Sequence, residues 1–374
     1  MKPFEVDLRV LTPAFVRGRD ERSAELRGPS IKGLLRWWYR TWNPLACDPE
    51  SAWAEGRVMG GIRPSEGQCP FSLRLRLDEE PGITTWKDVE TSARRGSRQA
   101  PGGLRYLGFS FGMKKDGGAR DHRAIAPGTR FRAVHLFRRE STEEQARALV
   151  ASWWLLTHLG GIGARSRRGF GGLVLEDWRW PEHAALLEAL PLPATARRAR
   201  EWEQRTITGL QVLKDWVPAP TGWPATAPCL GPGSRIVLRS DPQWRDWSAA
   251  MEDAGQVLAN GRRQYRSSRS EIDDRVTFGL PLETGRRPRR AWRPGSFRRE
   301  RIESDRHASP LHLHIGAWQG GVGQCWTLLD GPRPGRGDYR VREEKAKKSV
   351  RREAADAVAV FVDGLDGIRW EGAR

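Results

Sequence analysis

Between Gly160 and Gly172 the chain reads GGIGARSRRGFGG, six glycines and three arginines in thirteen positions. Glycine permits positive φ and lets backbone N–H groups approach a ligand, and guanidinium forks clamp oxyanions, so the chemistry written here is phosphate binding. The expected set is Arg165, Arg167 and Arg168, with Gly160, Gly161, Gly163, Gly169, Phe170 and Gly171. A glycine-rich connection between a helix and a strand, its arginines merely solvated, would show the same composition. A dinucleotide or P-loop site needs its glycines between a strand and the start of the next helix. Here they leave a helix and enter a strand, and no Gly-Lys-Ser/Thr follows, so ATP, GTP and NAD are disfavoured and no cofactor is expected.

Other reactive groups are sparse. His312 and His314 in LHLHI lie two apart and share one strand face, which permits a metal pair or an acid/base couple, but no third ligand stands near. The remaining histidines are dispersed, and Asp273-Asp274 reads as a solvated acidic turn. Cys47, Cys69, Cys229 and Cys325 form no Cys-x-x-Cys pair, so neither zinc nor a disulfide framework is indicated. No catalytic residue and no metal site is expected.

The elements that must position the loop are readable from periodicity. Phe4 to Leu11 alternates as a strand. Pro29 to Trp42 forms a helix with an apolar stripe of Ile31, Leu34, Leu35, Trp38 and Trp42, ended by Asn43-Pro44. Lys32, Arg36 and Arg40 recur every four residues beside that stripe, able to follow a phosphate backbone or simply to face solvent; Trp37 and Tyr39 lie off it. Phe71 to Leu77 and Arg130 to Phe137 read as strands, and Ser141-x-x-Glu144 is a capping box for a helix reaching His158. After the loop, Leu173 to Trp178 supplies a last strand.

This β-α-β-β-α-β order predicts an α+β, ferredoxin-like domain over residues 1–180 with an insertion at 78–129. From Arg94 to Arg132 the chain carries ten cations and two acids, with Tyr106, Phe109 and Phe111 interleaved. Such a pattern suits a single strand of nucleic acid, and equally a solvated hairpin with its aromatics turned inward. Residues 181–205 read as a linker. Residues 206–374 repeat the plan: strand 235–239, helix 244–259, strands 310–318 and 324–329, and a helix from Glu343 to Val362. A basic insertion spans 261–307, and Arg262 to Arg306 holds fourteen arginines against seven acids, which reads as a loop ordered by RNA.

Across 374 residues, Lys+Arg number 64 against 46 Asp+Glu, a net charge of +18, and 55 of the cations are arginine. A balance of this kind points to a polyanionic partner, nucleic acid first. No stretch approaches the roughly 20 apolar residues of a spanning helix and MKPFEVDLRV lacks a signal-peptide core, so the expected compartment is the cytoplasm, with no membrane partner.

With LTP at Leu11 to Pro13, RGPSIKGLLRWWYR at Arg27 to Arg40, GGIGARSRRGFGGL at Gly160 to Leu173 and RHASPLHLHI at Arg306 to Ile315, the chain resembles the RAMP superfamily of CRISPR proteins. More narrowly, it is similar to the first-numbered Cmr subunits of type III-B RNA-guided effector complexes. The resemblance implies two ferredoxin-like, RNA-recognition-type domains, other Cmr subunits as partners, and contact with guide RNA near its 3′ region or with target RNA. It assigns RNA binding to Lys32, Arg36, Arg40, Arg165, Arg167 and Arg168. Metal-independent, guide-processing endoribonucleases share the superfamily and are the rival reading; they commonly use a histidine early in the chain, and here none precedes His122.

Overall fold

Strand β1 (Phe4–Val10) buries Phe4, Val6, Leu8 and Val10 and turns Glu5, Asp7 and Arg9 outward, as its period of two requires. The computed structural model describes residues 2–18, 23–47, 53–61, 67–95, 102–111, 122–217, 227–265, 274–278, 282–284, 290–294, 308–331, 340–343, 348–351 and 356–372. Helix α1 (Gly28–Trp42) follows, then α2 (Trp53–Met59) and β2 (Phe71–Arg76). The insertion contributes β3 (Ile83–Thr85), α3 (Trp86–Arg95), α4 (Gly102–Leu107) and β4 (Arg123–Ile125), with β3 and β4 paired. Next come β5 (Arg130–Phe137), α5 (Glu143–His158) and β6 (Leu173–Arg179), and the sheet order is β2-β5-β1-β6, antiparallel throughout.

Two local expectations shift. The capping box of α5 is Thr142 with Gln145, one residue later than expected, because the Ser141 hydroxyl is 2.8 Å from His183 Nε2 instead. Tyr39 is 1 % exposed and belongs to the buried face of α1, while Leu34 is only partly buried.

After α6 (Ala184–Ala189), helix α7 (Ala199–Asp215) runs through position 205, so the expected end of the linker falls inside a helix. Then follow β7 (Arg235–Ser240), α8 (Trp247–Gln264), β8 (Leu282–Thr284), β9 (Arg290–Pro294), β10 (Leu311–Trp318), β11 (Gly321–Leu328), β12 (Arg340–Glu343), β13 (Lys348–Arg351), α9 (Ala357–Asp363) and β14 (Ile368–Glu371). The second main sheet is ordered β10-β11-β7-β14.

The helix expected from Glu343 to Val362 is α9 alone. Residues 340–351 contain a strand pair with Val341 opposite Val350, a period-two pattern that reads as helix because its charged residues are good helix formers. Within the basic segment 261–307, β8 and β9 join β12 and β13 in a third sheet, so the described part is not a plain loop; apart from these strands and the turn Asp274–Phe278, residues 266–307 lie outside the described residues. No described helix is long and apolar enough to cross a membrane.

Both hydrophobic cores cross from one half to the other. The first gathers β1, α1 and α5 with Trp202, Leu210, Ile236 and Leu238. The second unites Phe15, Trp86, Leu104, Phe111 and Phe170 with Met251, Leu313, Trp326 and Phe361. The glycine loop is therefore held between two sheets.

Candidate nucleic-acid interface

The loop's glycines serve packing rather than an open amide cradle. Its amides donate inward: Ile162 to Gly171 O, Ala164 to Phe15 O, Arg168 to Arg165 O, Gly171 to Pro13 O, and Gly172 to Thr12 Oγ1. Gly171 has φ +67°, and a Cβ there would lie 1.9 Å from Ile162 O, so only glycine fits. Gly160, Gly161, Gly169 and Gly171 are buried; Gly163 is exposed. Phe170, expected on the binding face, is 0 % exposed and packs edge-on against Phe15 and Phe111. Its length and apolarity took it to the core, which corrects its place in the expected set.

The arginines of this turn are partly buried. Arg165 (φ 61°) donates from Nε to Ser110 Oγ at 2.9 Å. Arg167 donates from Nη1 to Ser309 O at 2.9 Å and lies over the Trp37 ring, 5.7 Å from its centroid. Arg168 Nη1 is buried with no hydrogen-bond partner among the described residues. Burial lowers all three guanidinium pKa values, and Arg168, beside Arg262, is brought down to about 9 and stays charged at neutral pH. No carboxylate among the described residues pairs with any of the three.

A fourth guanidinium that periodicity did not single out completes the cluster. Arg262, at the end of α8, donates to the Tyr106 hydroxyl at 3.1 Å, lies over the Phe278 ring, and has its Nε buried without a partner among the described residues. Tyr106 arrives on α4, which Glu252 of α8 anchors: its carboxylate accepts from the amides of Gly103 and Leu104 at 2.9 and 2.8 Å. Only its position inside a basic segment pointed to Arg262. The aromatics interleaved in the insertion separate: Phe111 is buried at 6 %, Tyr106 is partly buried, and Phe109 is 64 % exposed.

The cationic row on α1 divides in the same way. Arg36 and Arg40 converge on Glu55 of α2, with Arg36 Nε 2.5 Å from Oε1 and Arg40 Nη1 at 2.9 and 3.0 Å from the two oxygens. Their charge is largely met inside the protein. Lys32 has its ammonium 5.4 Å from the centroid of Phe71. Trp37 is stacked on His312 at 5.5 Å and Arg167 lies over its ring, so it joins α1 to the loop and to β10.

His312 and His314 act as packing groups between the halves. His314 Nδ1 lies 2.7 Å from Gly160 O and burial takes its pKa to about 4; burial holds His312 well below its usual value, helped by Arg167. His135 and His158 are likewise brought to about 3 by burial. No group of three metal-ligating side chains occurs among the described residues.

The outward face of the first sheet is a lattice of ion pairs. Asp7 meets Arg132 at 2.5 Å, Glu176 meets Arg9 at 2.6 Å and Arg130 at 3.0 Å, and Glu5 meets Arg179 at 3.3 Å. The arginines of this face are thus met by carboxylates of β1 and β6, in contrast to those of the loop.

Residues 7–174 match the family model of the RAMP superfamily. CRISPR system Cmr subunit Cmr1-2 of Pyrococcus furiosus is 28% identical over 185 residues, 46% of this chain and 95% of that protein. Cmr1-1 of the same organism is 31% identical over 166 residues, 41% of this chain and 44% of its own length. Among solved structures, apo Cmr1 from Pyrococcus furiosus aligns with a TM-score of 0.61 at 19% identity, covering 100% of this chain and 99% of that one. A chain of the type III-B Cmr-beta particle, bound to cognate target RNA and AMPPnP in the presence of ssDNA, aligns at 0.57 with 13% identity, covering 96% and 97%. At these identities the structural likenesses are of fold. Residues 7–174 thus match the RAMP superfamily, and the chain resembles Cmr1 in sequence over about half its length and in fold over the whole.

Proposed function

We propose that the chain is a non-catalytic RNA-binding subunit of a type III-B CRISPR effector complex, acting in the cytoplasm and contacting guide RNA near its 3′ region or capturing target RNA. One contrast carries this reading. Arg9, Arg36, Arg40, Arg130, Arg132, Arg179 and Arg239 each meet a carboxylate, whereas Arg165, Arg167 and Arg168 meet none among the described residues. Cations crowded together without counter-charge, in a protein of net charge +18, favour an anionic strand. Relatives of the same fold include chains of a particle bound to target RNA, which supports the partner class.

Each half is read as a ferredoxin-like domain, because the strand that opens it pairs in the sheet with the strand that closes it. The first covers residues 1–180 and includes the insertion 78–129. The second begins after the α7 connection and carries the basic insertion 261–307. A binding role without catalysis is supported by His135, His158, His312 and His314, which are buried and neutral at pH 7 rather than poised at a surface.

Photocrosslinking the purified chain to single-stranded RNA, with peptide-level mapping, tests the reading. Crosslinks are expected in residues 102–111, 160–172 and near Arg262. Crosslinks confined to the ion-paired face of the first sheet would overturn it.

A further inference from the structure

The RNA-binding reading names a strand but not what part of it the arginine cluster holds. Three separate elements build that cluster: the glycine loop brings Arg165 and Arg168, α8 brings Arg262, and the insertion brings Tyr106, Phe109 and Ser110. The insertion is fixed in place by Glu252 on the first amides of α4 and by the glycine pair Gly103 and Gly255, whose backbones touch. Two donors of the cluster, Arg168 Nη1 and Arg262 Nε, are buried without acceptors among the described residues, and a buried donor left unmade is costly. One tetrahedral oxyanion supplies several acceptors and offsets the mutual repulsion of the guanidinium groups.

Beside them, Phe109 is 64 % exposed although the two residues that follow it in the turn, Ser110 and Phe111, are held by contacts. Phe111 is buried against Phe15 at 4.0 Å between ring centroids, and Ser110 accepts from Arg165. Phe109 is thus an apolar ring open to solvent, one residue along the chain from the hydroxyl that Arg165 meets. That is the arrangement by which proteins take an unpaired nucleotide, phosphate on guanidinium and base on ring.

Resting on the RNA-binding reading, we propose that Arg165, Arg168, Arg262 and Tyr106 frame a subsite for one phosphate group, and that Phe109 stacks the adjoining base of the same strand. The ligand class is a nucleotide unit of single-stranded RNA, held without regard to base identity, since every base offers a stacking face.

Two measurements on the full chain test this. In the first, the affinity for a labelled oligouridine is compared between the wild type and Phe109→Ala; a loss of about tenfold is expected, with the melting temperature unchanged because the ring is exposed. In the second, inorganic phosphate is compared with chloride at matched ionic strength. Phosphate at about ten times its Kd should raise the wild-type melting temperature by roughly 2 °C more than chloride does, and Arg262→Gln should abolish that difference. Equal RNA affinity in Phe109→Ala overturns the stacking platform, and a wild-type melting temperature indifferent to phosphate overturns the anion subsite. RNA binding with both arms negative sinks this inference and leaves the RNA reading standing. A phosphate response abolished in Arg262→Gln, in a wild type that binds no RNA, upholds the anion subsite and sinks the RNA reading.

Discussion

A Cβ placed on Gly255 of α8 would lie 2.0 Å from the carbonyl oxygen of Gly103 on α4, closer than any real carbon atom approaches an oxygen. The insertion of the first half therefore touches the opening helix of the second through bare backbone, and this approach sets where Tyr106 meets Arg262. Gly255→Ala is expected to destabilise the fold by about 2–3 kcal/mol through overpacking. Gly33→Ala on α1, where nothing lies within 4 Å of the added carbon, should stabilise by roughly 0.5–1 kcal/mol. Urea titration of both variants checks the pair; similar effects in the two would refute the close approach.

Glu55 gives a second expectation. Its buried carboxylate gathers Arg36 and Arg40, so replacing either arginine removes an internal partner before it removes an RNA contact. With both arginine side chains 34–38 % exposed, Arg40→Ala should cost only about 1 kcal/mol of stability. Its RNA affinity should fall less than that of Arg165→Ala, measured side by side by fluorescence anisotropy. A larger drop in Arg40→Ala would show α1 to be the principal RNA-binding element.

Acid should unfold the protein through its buried histidines. Burial lowers the folded-state pKa of His314 to about 4 and of His135 and His158 to about 3, against an ordinary value of 6.5. Between those limits the unfolded chain binds more protons than the native one, so stability present above pH 6.5 is lost as the pH falls toward 4 and 3. Each such histidine contributes a slope of up to about 1.4 kcal/mol per pH unit. Denaturant titrations at pH 6.5 and 5 should differ by at least about 2 kcal/mol; equal stabilities would contradict the burial of these side chains.

Phe170→Ala distinguishes a core ring from a stacking ring. With its ring 0 % exposed among Phe15, Trp86 and Phe111, truncation should cost about 3–5 kcal/mol of stability. Thermal melts read this directly, and an unperturbed melting temperature would place the ring at the surface.

Much of this architecture is legible along the chain. β1, α1, β5 and α5 follow from alternation, an apolar stripe and a cap, all local signals. The loop's arginines are legible as charge in an unusual backbone. Nothing local tells that the amides of Ala164 and Gly171 are already taken by Phe15 and Pro13, roughly 150 positions earlier, nor that Phe170 rather than Phe109 turns inward. Arg262 joins Arg168 only because two glycines, far apart in sequence, let α4 and α8 touch. β12 and β13 escape a reading by periodicity because short charged strands carry a period too brief to separate from a helix.

The loop arginines lack a counter-charge among the described residues of the protein and, on this account, find it in RNA. The salt dependence of single-stranded RNA binding tests that claim most directly, comparing the wild type with the variant carrying Arg165, Arg167 and Arg168 replaced by alanine, its folding verified by circular dichroism. The variant's slope of log affinity against log salt should be shallower by roughly 0.7 for each phosphate left without its arginine, with affinity reduced alike for unrelated sequences. A folded variant with the wild-type slope and affinity would contradict the account.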